Sequence, residues 1–147
     1  MVTDMERNRR TRLCFILCGA LSLLLGLGVY LLLAEKAYVS RFISGLFARR
    51  VSLRGAEGLF LEILRCWGAD FFWAFSLCSF WHAIRLPTKR RSLAIALFTV
   101  LFGGAFELLQ ALSLTTGTAD LFDLLAYIAA AGTVCILNDF LTKGEKT

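Results

Sequence analysis

The chain has 147 residues, of which 58% are hydrophobic and only 18% are charged, and its net charge is +5. This composition excludes a disordered chain and argues against a soluble globular domain, for which about 25% charged residues is typical. The five cysteines include no C-x-x-C pair, so we expect neither a disulfide framework nor a metal site. The sequence predicts one all-α integral membrane domain over residues 1–147.

The first apolar segment follows a polar stretch that is rich in arginine. Residues 13–33 carry no charge, and as a helix they would extend about 31 Å, which is enough to cross a bilayer. The run is longer than the apolar core of a signal peptide and has no clear small-residue cleavage site. We therefore interpret it as an uncleaved membrane span.

The next segment, residues 34–67, mixes charged and apolar side chains. Its apolar residues recur on one side at helical spacing, and Gly55 and Gly58 predict a break within it. Segments of this kind usually lie in the membrane interface, so we predict an amphipathic helical segment between spans one and two. It also carries candidate partners for a phosphate or carboxylate, namely Arg49, Arg50 and Arg54.

Three further apolar segments complete the predicted fold. The second span, at about 69–86, is rich in aromatic residues and is followed by a short basic turn. The third span is predicted at about 92–112 and the fourth at about 121–141, with a polar loop between them. The sequence thus predicts a four-transmembrane-helix bundle.

Basic residues are concentrated on one side of this bundle. With four spans, the N-terminal segment, the turn between spans two and three and the C-terminal tail share a side. They carry ten of the 16 basic residues. The positive-inside rule then places both termini in the cytoplasm. Since topology explains the basic charge, we expect no nucleic-acid partner.

Acidic residues in or at the ends of the spans are the candidate site, because intramembrane charges are costly and usually functional. Glu107 lies inside the third span, about 7.5 Å below its outer end, and Gln110 shares its face. Asp120 and Asp123 open the fourth span, and Asp70 opens the second. All five lie at the predicted outer end, where they could converge on one outward-facing polar pocket.

Each of these residues also has a structural interpretation. Asp120 is favoured as a helix N-cap, and Asp123 suits a first-turn acid that the helix dipole stabilises. Asp70 is equally consistent with a cap and with a site residue. Glu107 is too deep to be a cap, and its structural interpretation is a tie to an arginine of the segment 34–67, such as Arg49, Arg50 or Arg54, or to a protonated partner. Gln110 would otherwise be a contact between helices.

Other features near these acids are interpreted as packing. The single histidine, His82, lies near the cytoplasmic end of the second span, far from the acids, and we interpret it as an interfacial residue. Gly103 and Gly104 lie on or beside the face of Glu107, which predicts that another helix packs closely there. No residue is assigned as catalytic, and no cofactor is expected.

The polar residues of the last two spans resemble those of the VanZ-like membrane proteins. That family has a Glu-x-x-Gln pair, a short polar loop and an Asp-Leu-Leu run that opens the last helix. The corresponding residues here are Glu107, Gln110, Gly117, Asp120 and Asp123. The segment that begins at Asp70 is similar to the Asp-led second helix of the same family.

The resemblance implies a multi-pass protein of the bacterial cytoplasmic membrane that acts in the cell envelope. The founding member is associated with reduced sensitivity to teicoplanin-type glycopeptide antibiotics, so a role in antibiotic sensitivity is implied, but no reaction is. Many members have an arginine in the loop and an asparagine where Tyr127 stands. Residues 113–119 have no arginine here, as in a divergent member.

Several functions remain open. The first is binding of an amphiphilic envelope ligand, such as a lipid-linked precursor or a lipopeptide, at the acidic pocket. The second is a metal-dependent reaction on a lipid phosphate. The sequence places no histidine or cysteine nucleophile beside the acids, which makes this reaction less favoured. The third is a structural subunit of a larger membrane complex, and the fourth is a proton-coupled transporter that would need to oligomerise. Membrane lipids are expected partners in every case.

Overall fold

The computed structural model describes residues 2–33, 58–86, 88–115 and 119–143. Within these ranges the chain is helical apart from short connections, and no strand is present. The elements are α1 (Val2–Leu33), α2 (Leu59–Ile63), a π-helical turn (Leu64–Gly68), α3 (Ala69–Arg85), α4 (Lys89–Ala111) and α5 (Leu121–Lys143). The all-α prediction is therefore confirmed for the described residues.

Among the described residues, three helices are long and apolar enough to cross a membrane. The candidate spans are Asn8–Tyr30 in α1, Lys89–Ala111 in α4 and Leu121–Thr142 in α5. They coincide to within a few residues with the first, third and fourth predicted spans, and they indicate a multi-pass membrane protein. The predicted second span corresponds to α3, which has 17 residues and is not among the three by length and composition.

The segment between the first two predicted spans is described only from Gly58 onward. Gly58 immediately precedes α2, and from Leu59 to Arg85 the chain is helical without interruption. Residues 34–57 lie outside the described residues, and with them Arg49, Arg50 and Arg54. The amphipathic segment therefore stays a prediction.

Helix α1 packs antiparallel along α3. Among the α1 residues whose side chains are described, the buried ones are Phe15, Gly19, Ser22, Gly26 and Val29. Their spacing alternates between four and three residues, the 3.5-residue period at which two helices can stay in contact along their length. Phe15 lies against His82, with ring centroids 5.3 Å apart, while Val29 packs against Ala69 near the other end of α3.

Small residues allow these two helices to approach closely. A Cβ atom at Gly19 would lie 3.1 Å from the ring of Phe80, and one at Gly26 would lie 3.1 Å from Cβ of Phe72. Between them, the hydroxyl of Ser22 donates a 2.9 Å hydrogen bond to the carbonyl oxygen of Phe72. Close packing and interhelical hydrogen bonds of this kind hold helices together where lipid removes the hydrophobic driving force.

Helix α3 lies between α1 and α5, and α4 packs mainly on α5 and less on α3. The larger apolar core includes Phe15 of α1, Cys78 of α3 and Val134 of α5. A second core includes Ala74 of α3 and Tyr127 of α5. The order of these contacts shows that α3 and α5 run parallel, whereas α1 and α4 run in the opposite direction.

The bundle has two ends of opposite charge. We call the end that holds Asp70, Glu107, Asp120 and Asp123 the acidic end. We call the end that holds Arg12, Arg85, Lys89, Arg90 and Arg91 the basic end. At the basic end the chain reverses direction after α3 through Leu86, whose φ of 38° is left-handed and whose N–H donates to the carbonyl oxygen of His82.

Candidate functional site

Asp70 joins two helices at the acidic end. It does not cap a helix, because Gly68 before it is already helical and α3 continues from the π-helical turn. The cap interpretation of Asp70 is therefore wrong. Its Oδ1 instead accepts a 3.1 Å hydrogen bond from the hydroxyl of Tyr127 on α5.

The ring of Tyr127 fills the space that Gly103 leaves open. A Cβ atom at Gly103 would collide with this ring, and both residues are buried. The close helix packing that the small residues of α4 predict is therefore provided by α5 of the same chain. The neighbouring Gly104 is less crowded, since its Cβ would lie 3.6 Å from Leu124, an ordinary contact.

Glu107 binds the backbone at the start of α5. Its Oε2 accepts a 2.9 Å hydrogen bond from the N–H of Asp120, and a carboxylate at a helix N-terminus is stabilised by the helix dipole. Among the described residues it forms no ion pair. The arginines predicted as its partners lie in the segment that is not described. Glu107 thus ties α4 to α5 across the loop that connects them.

The two aspartates of α5 have different roles. The prediction that Asp120 is an N-cap is confirmed, because its Oδ1 accepts a 3.0 Å hydrogen bond from the N–H of Phe122. Asp123 lies in the first turn, as predicted. Its Oδ1 is buried and has no hydrogen-bond partner among the described residues. Leaving such an acceptor unsatisfied costs about 1–3 kcal/mol, and more for a charged group.

Four carboxylates come within electrostatic range of one another at this end. Asp123 is repelled by Asp70, Glu107 and Asp120, and Asp70 is repelled by Glu107. The side chain of Gln110 is half-exposed and forms no hydrogen bond with the acids or with any other described residue. A positively charged or hydrogen-bond-donating group would relieve this repulsion.

Trp67 is a candidate residue that the sequence analysis missed. It lies in the π-helical turn and packs on Phe122, with ring centroids 5.2 Å apart. Its Nε1–H is buried and meets no acceptor in the described part of the chain. The helical spacing of Trp67 made it look like one more apolar-face residue. Trp67 is marked out by the π-helical turn, a feature common at functional sites. Apolar periodicity in the sequence does not reveal such a turn, so no sequence signal pointed to this residue.

The geometry of the acids does not form a metal cage in the described ranges. No three side chains of His, Cys, Asp or Glu there are arranged to hold a metal ion. The oxygens of Glu107, Asp120 and Asp70 instead accept hydrogen bonds from backbone N–H groups and a tyrosine. The metal-dependent alternative gains no support from this arrangement.

A second polar cluster lies near the basic end, and it corrects the interpretation of His82. The side chain is 0% exposed, so it is not interfacial. Its Nδ1 lies 2.8 Å from the carbonyl oxygen of Cys78 and its Nε2 lies 2.8 Å from Oγ of Ser92. Because a carbonyl only accepts, the neutral ring carries its proton on Nδ1, and Ser92 donates to Nε2. Cys135 Sγ is 3.3 Å from Ser92 Oγ, so the cluster joins α3, α4 and α5.

The acidic end is the better candidate for a binding site, because it contains both the buried acceptor of Asp123 and the buried donor of Trp67, neither of which has a partner among the described residues. The cluster around His82 is internally satisfied and enclosed. When the chain is compared with models of protein families, with curated proteins and with solved structures, none of them matches it.

Proposed function

We propose that the protein is a VanZ-like, four-span protein of the bacterial cell envelope that binds an amphiphilic ligand at its acidic end. The observation that carries this proposal is the buried Oδ1 of Asp123, which has no donor among the described residues, on a side chain within electrostatic range of three other carboxylates. Trp67 offers a donor on a neighbouring helix. A headgroup with both an amine and an acceptor would satisfy the two residues together.

Helix α3, the predicted second span, completes the four spans of this proposal. It runs beside the candidate span of α1 from the contact of Ala69 with Val29 to the contact of His82 with Phe15. The continuous helical stretch from Leu59 to Arg85 would be about 40 Å long, longer than the roughly 30 Å apolar layer of a bilayer. Contacts with α1 and α5 cover much of the surface of α3. Polar residues on the covered faces are shielded from lipid, so α3 can cross the membrane although it carries them.

The acidic end faces outward in this arrangement. The basic end holds the short turn between α3 and α4 and the arginine-rich start of α1, and the positive-inside rule assigns such segments to the cytoplasm. Both termini then lie in the cytoplasm. The acidic end lies in the outer leaflet of the cytoplasmic membrane, where envelope precursors and lipopeptides are found.

The surroundings of the acidic end favour an amphiphilic ligand over a soluble one. Large apolar side chains beside the acids are exposed on the surface of the bundle, among them Leu108, Leu121 and Phe122. A ligand could place its acyl chain against them and direct its headgroup toward Asp123. The excess of carboxylates favours an amine in that headgroup, since ammonium–carboxylate hydrogen bonds are the stronger kind.

The resemblance of the motif residues to the VanZ-like family supports the location in the envelope and a role in sensitivity to glycopeptide or lipopeptide antibiotics. The alternative of a structural subunit depended on small residues that are free to pack against a partner. Ala130 does not meet this condition, because it is fully buried within the chain, whereas Gly104 is only partly covered and a Cβ there would lie 3.6 Å from Leu124.

The charge of Asp123 is expected to dominate ligand binding. In protein purified into nanodiscs, Asp123→Asn should weaken binding of a fluorescent lipopeptide with one free amine about tenfold, as expected for the loss of one charge-assisted hydrogen bond. Acetylating that amine should weaken binding to the native protein equally. Glu107→Gln should also weaken binding while it keeps an acceptor for the N–H of Asp120.

The matched control is Asp139→Asn, which removes the same charge from the other end of α5. It should leave binding of the same lipopeptide unchanged. Unchanged affinity in correctly folded Asp123→Asn protein would rule out the proposed site. Loss of binding in Asp139→Asn would show that net charge, and not the acidic end, governs the affinity.

A further inference from the structure

Basic residues of three helices, α1, α3 and α4, meet at the basic end. Phe15 contacts His82, and His82 is hydrogen-bonded to Ser92. Arg12 precedes Phe15 by about one turn, and Arg85 follows His82 by about one turn. The first turn of α4, which directly precedes Ser92, consists of Lys89, Arg90 and Arg91. The cations of α1, α3 and α4 therefore surround one end of the bundle.

These charges are not compensated by the described acids. The cationic side chains of the basic end are exposed, and none forms an ion pair within the described ranges. The first turn of α4 contains no acid, so its three cations oppose the helix dipole, which disfavours positive charge at an N-terminus. Local helix stability therefore does not account for this charge.

A row of half-exposed aromatic rings leads away from these cations. Trp81 on α3 is 38% exposed and Phe98 on α4 is 48% exposed, and their ring centroids are 5.9 Å apart. Phe102 continues the row, 6.1 Å from Phe98. Trp81 shares a helix face with Arg85, four residues on, and Phe98 shares one with Arg91, seven residues before it.

We propose that this α3–α4 face binds an anionic phospholipid of the leaflet at the basic end. Arg85 and Arg91 bind the phosphate of the headgroup, for which the guanidinium fork is well suited, and an acyl chain lies along Trp81, Phe98 and Phe102. The aromatic row is what selects a lipid over a free phosphate, because a soluble anion would leave it unused. This site is independent of ligand binding at the acidic end.

Quenching of tryptophan by brominated lipid acyl chains tests the proposal. Trp67→Phe with Trp73→Phe leaves Trp81 as the single reporter in the full-length protein. In bilayers that contain equal amounts of phosphatidylglycerol and phosphatidylcholine, bromination of the phosphatidylglycerol should quench Trp81 more strongly than bromination of the phosphatidylcholine. The quenching should correspond to an association constant about fivefold higher for the anionic lipid, the size of effect that one cation near an anionic headgroup provides.

Two comparisons locate the effect. Arg85→Gln with Arg91→Gln should abolish the preference, whereas Arg9→Gln with Arg10→Gln, which removes the same charge from α1, should preserve it. A protein in which Trp73 is the single reporter should show no preference, because Trp73 lies about 12 Å along α3 from Trp81.

Three outcomes would overturn the proposal. The first is equal quenching of Trp81 by the two lipids in protein with native charges. The second is an equal loss of preference in the two arginine pairs, which would mean general surface charge. The third is displacement of the anionic lipid by soluble glycerol phosphate, which would mean that a free phosphate is the ligand.

Discussion

Gly103→Ala is expected to lower the free energy of unfolding by about 2–4 kcal/mol. The added methyl would collide with the ring of Tyr127, and overpacking of this kind typically costs about 1–3 kcal/mol. Moving the ring would also strain the hydrogen bond from Tyr127 to Asp70, worth about 0.6–1.7 kcal/mol in membrane proteins. Unfolding of the purified protein by sodium dodecyl sulfate in mixed micelles measures the change.

Gly104→Ala is the matched control for this experiment. It makes the same substitution one residue away, where the new Cβ would make only an ordinary 3.6 Å contact with Leu124. Its stability should stay within about 0.5 kcal/mol of the native protein, as for substitutions that disturb no packing. Adding Tyr127→Leu to Gly103→Ala should recover part of the loss by removing the clash. Equal stability of the two alanine variants would contradict the packing of Tyr127 on Gly103.

His82→Ala should destabilise the protein by about 3 kcal/mol. The ring is fully enclosed and packs against Phe15, so its removal leaves a cavity of the kind that costs about 2–5 kcal/mol for large-to-alanine changes. It also removes the acceptor for the hydroxyl of Ser92. Ser92→Ala, which loses only hydrogen bonds, should cost about 1 kcal/mol.

A double-mutant cycle separates the cavity from the hydrogen bond. The doubly substituted protein should be less destabilised than the sum of His82→Ala and Ser92→Ala, with a coupling of about 0.5–1.5 kcal/mol. Thr88→Ala, an exposed change near the same turn, serves as the control and should be neutral. An interfacial His82 would give a loss below about 0.5 kcal/mol and no coupling, which would contradict its burial.

The elements that could be predicted from the sequence are those that depend on local pattern. Long apolar runs with few or no charges mark α1, α4 and α5, and a helix needs no partner to satisfy its backbone in lipid. The cap at Asp120 was predictable because its hydrogen bond reaches only two residues along the chain. The face of α1 that packs on α3 also follows a sequence pattern, because its residues from Phe15 to Val29 are spaced alternately four and three apart.

The missed features all depend on how one helix is rotated against another. His82 looks interfacial by its position near a helix end, yet the partner that buries it, Ser92, comes from the next helix. Asp70 looks like a cap because it lies at the start of an apolar run, and its actual partner, Tyr127, is 57 residues away. Apolar periodicity records which face of a helix is buried, but not which polar group on another helix it meets.

The proposed topology places the acidic and basic ends on opposite sides of the membrane. Single cysteines introduced by Gly58→Cys, Thr115→Cys and Thr88→Cys test it, since all three positions are exposed. The five native cysteines, which include the exposed Cys66, must first be replaced. A membrane-impermeant maleimide is then added to intact cells.

We expect labelling at Gly58→Cys and Thr115→Cys in intact cells, and at Thr88→Cys only after the membrane is permeabilised. Labelling of Gly58→Cys and Thr88→Cys from the same side would mean that α3 does not cross the membrane. The fully reversed pattern would place the acidic end in the cytoplasm and contradict binding of an envelope ligand there.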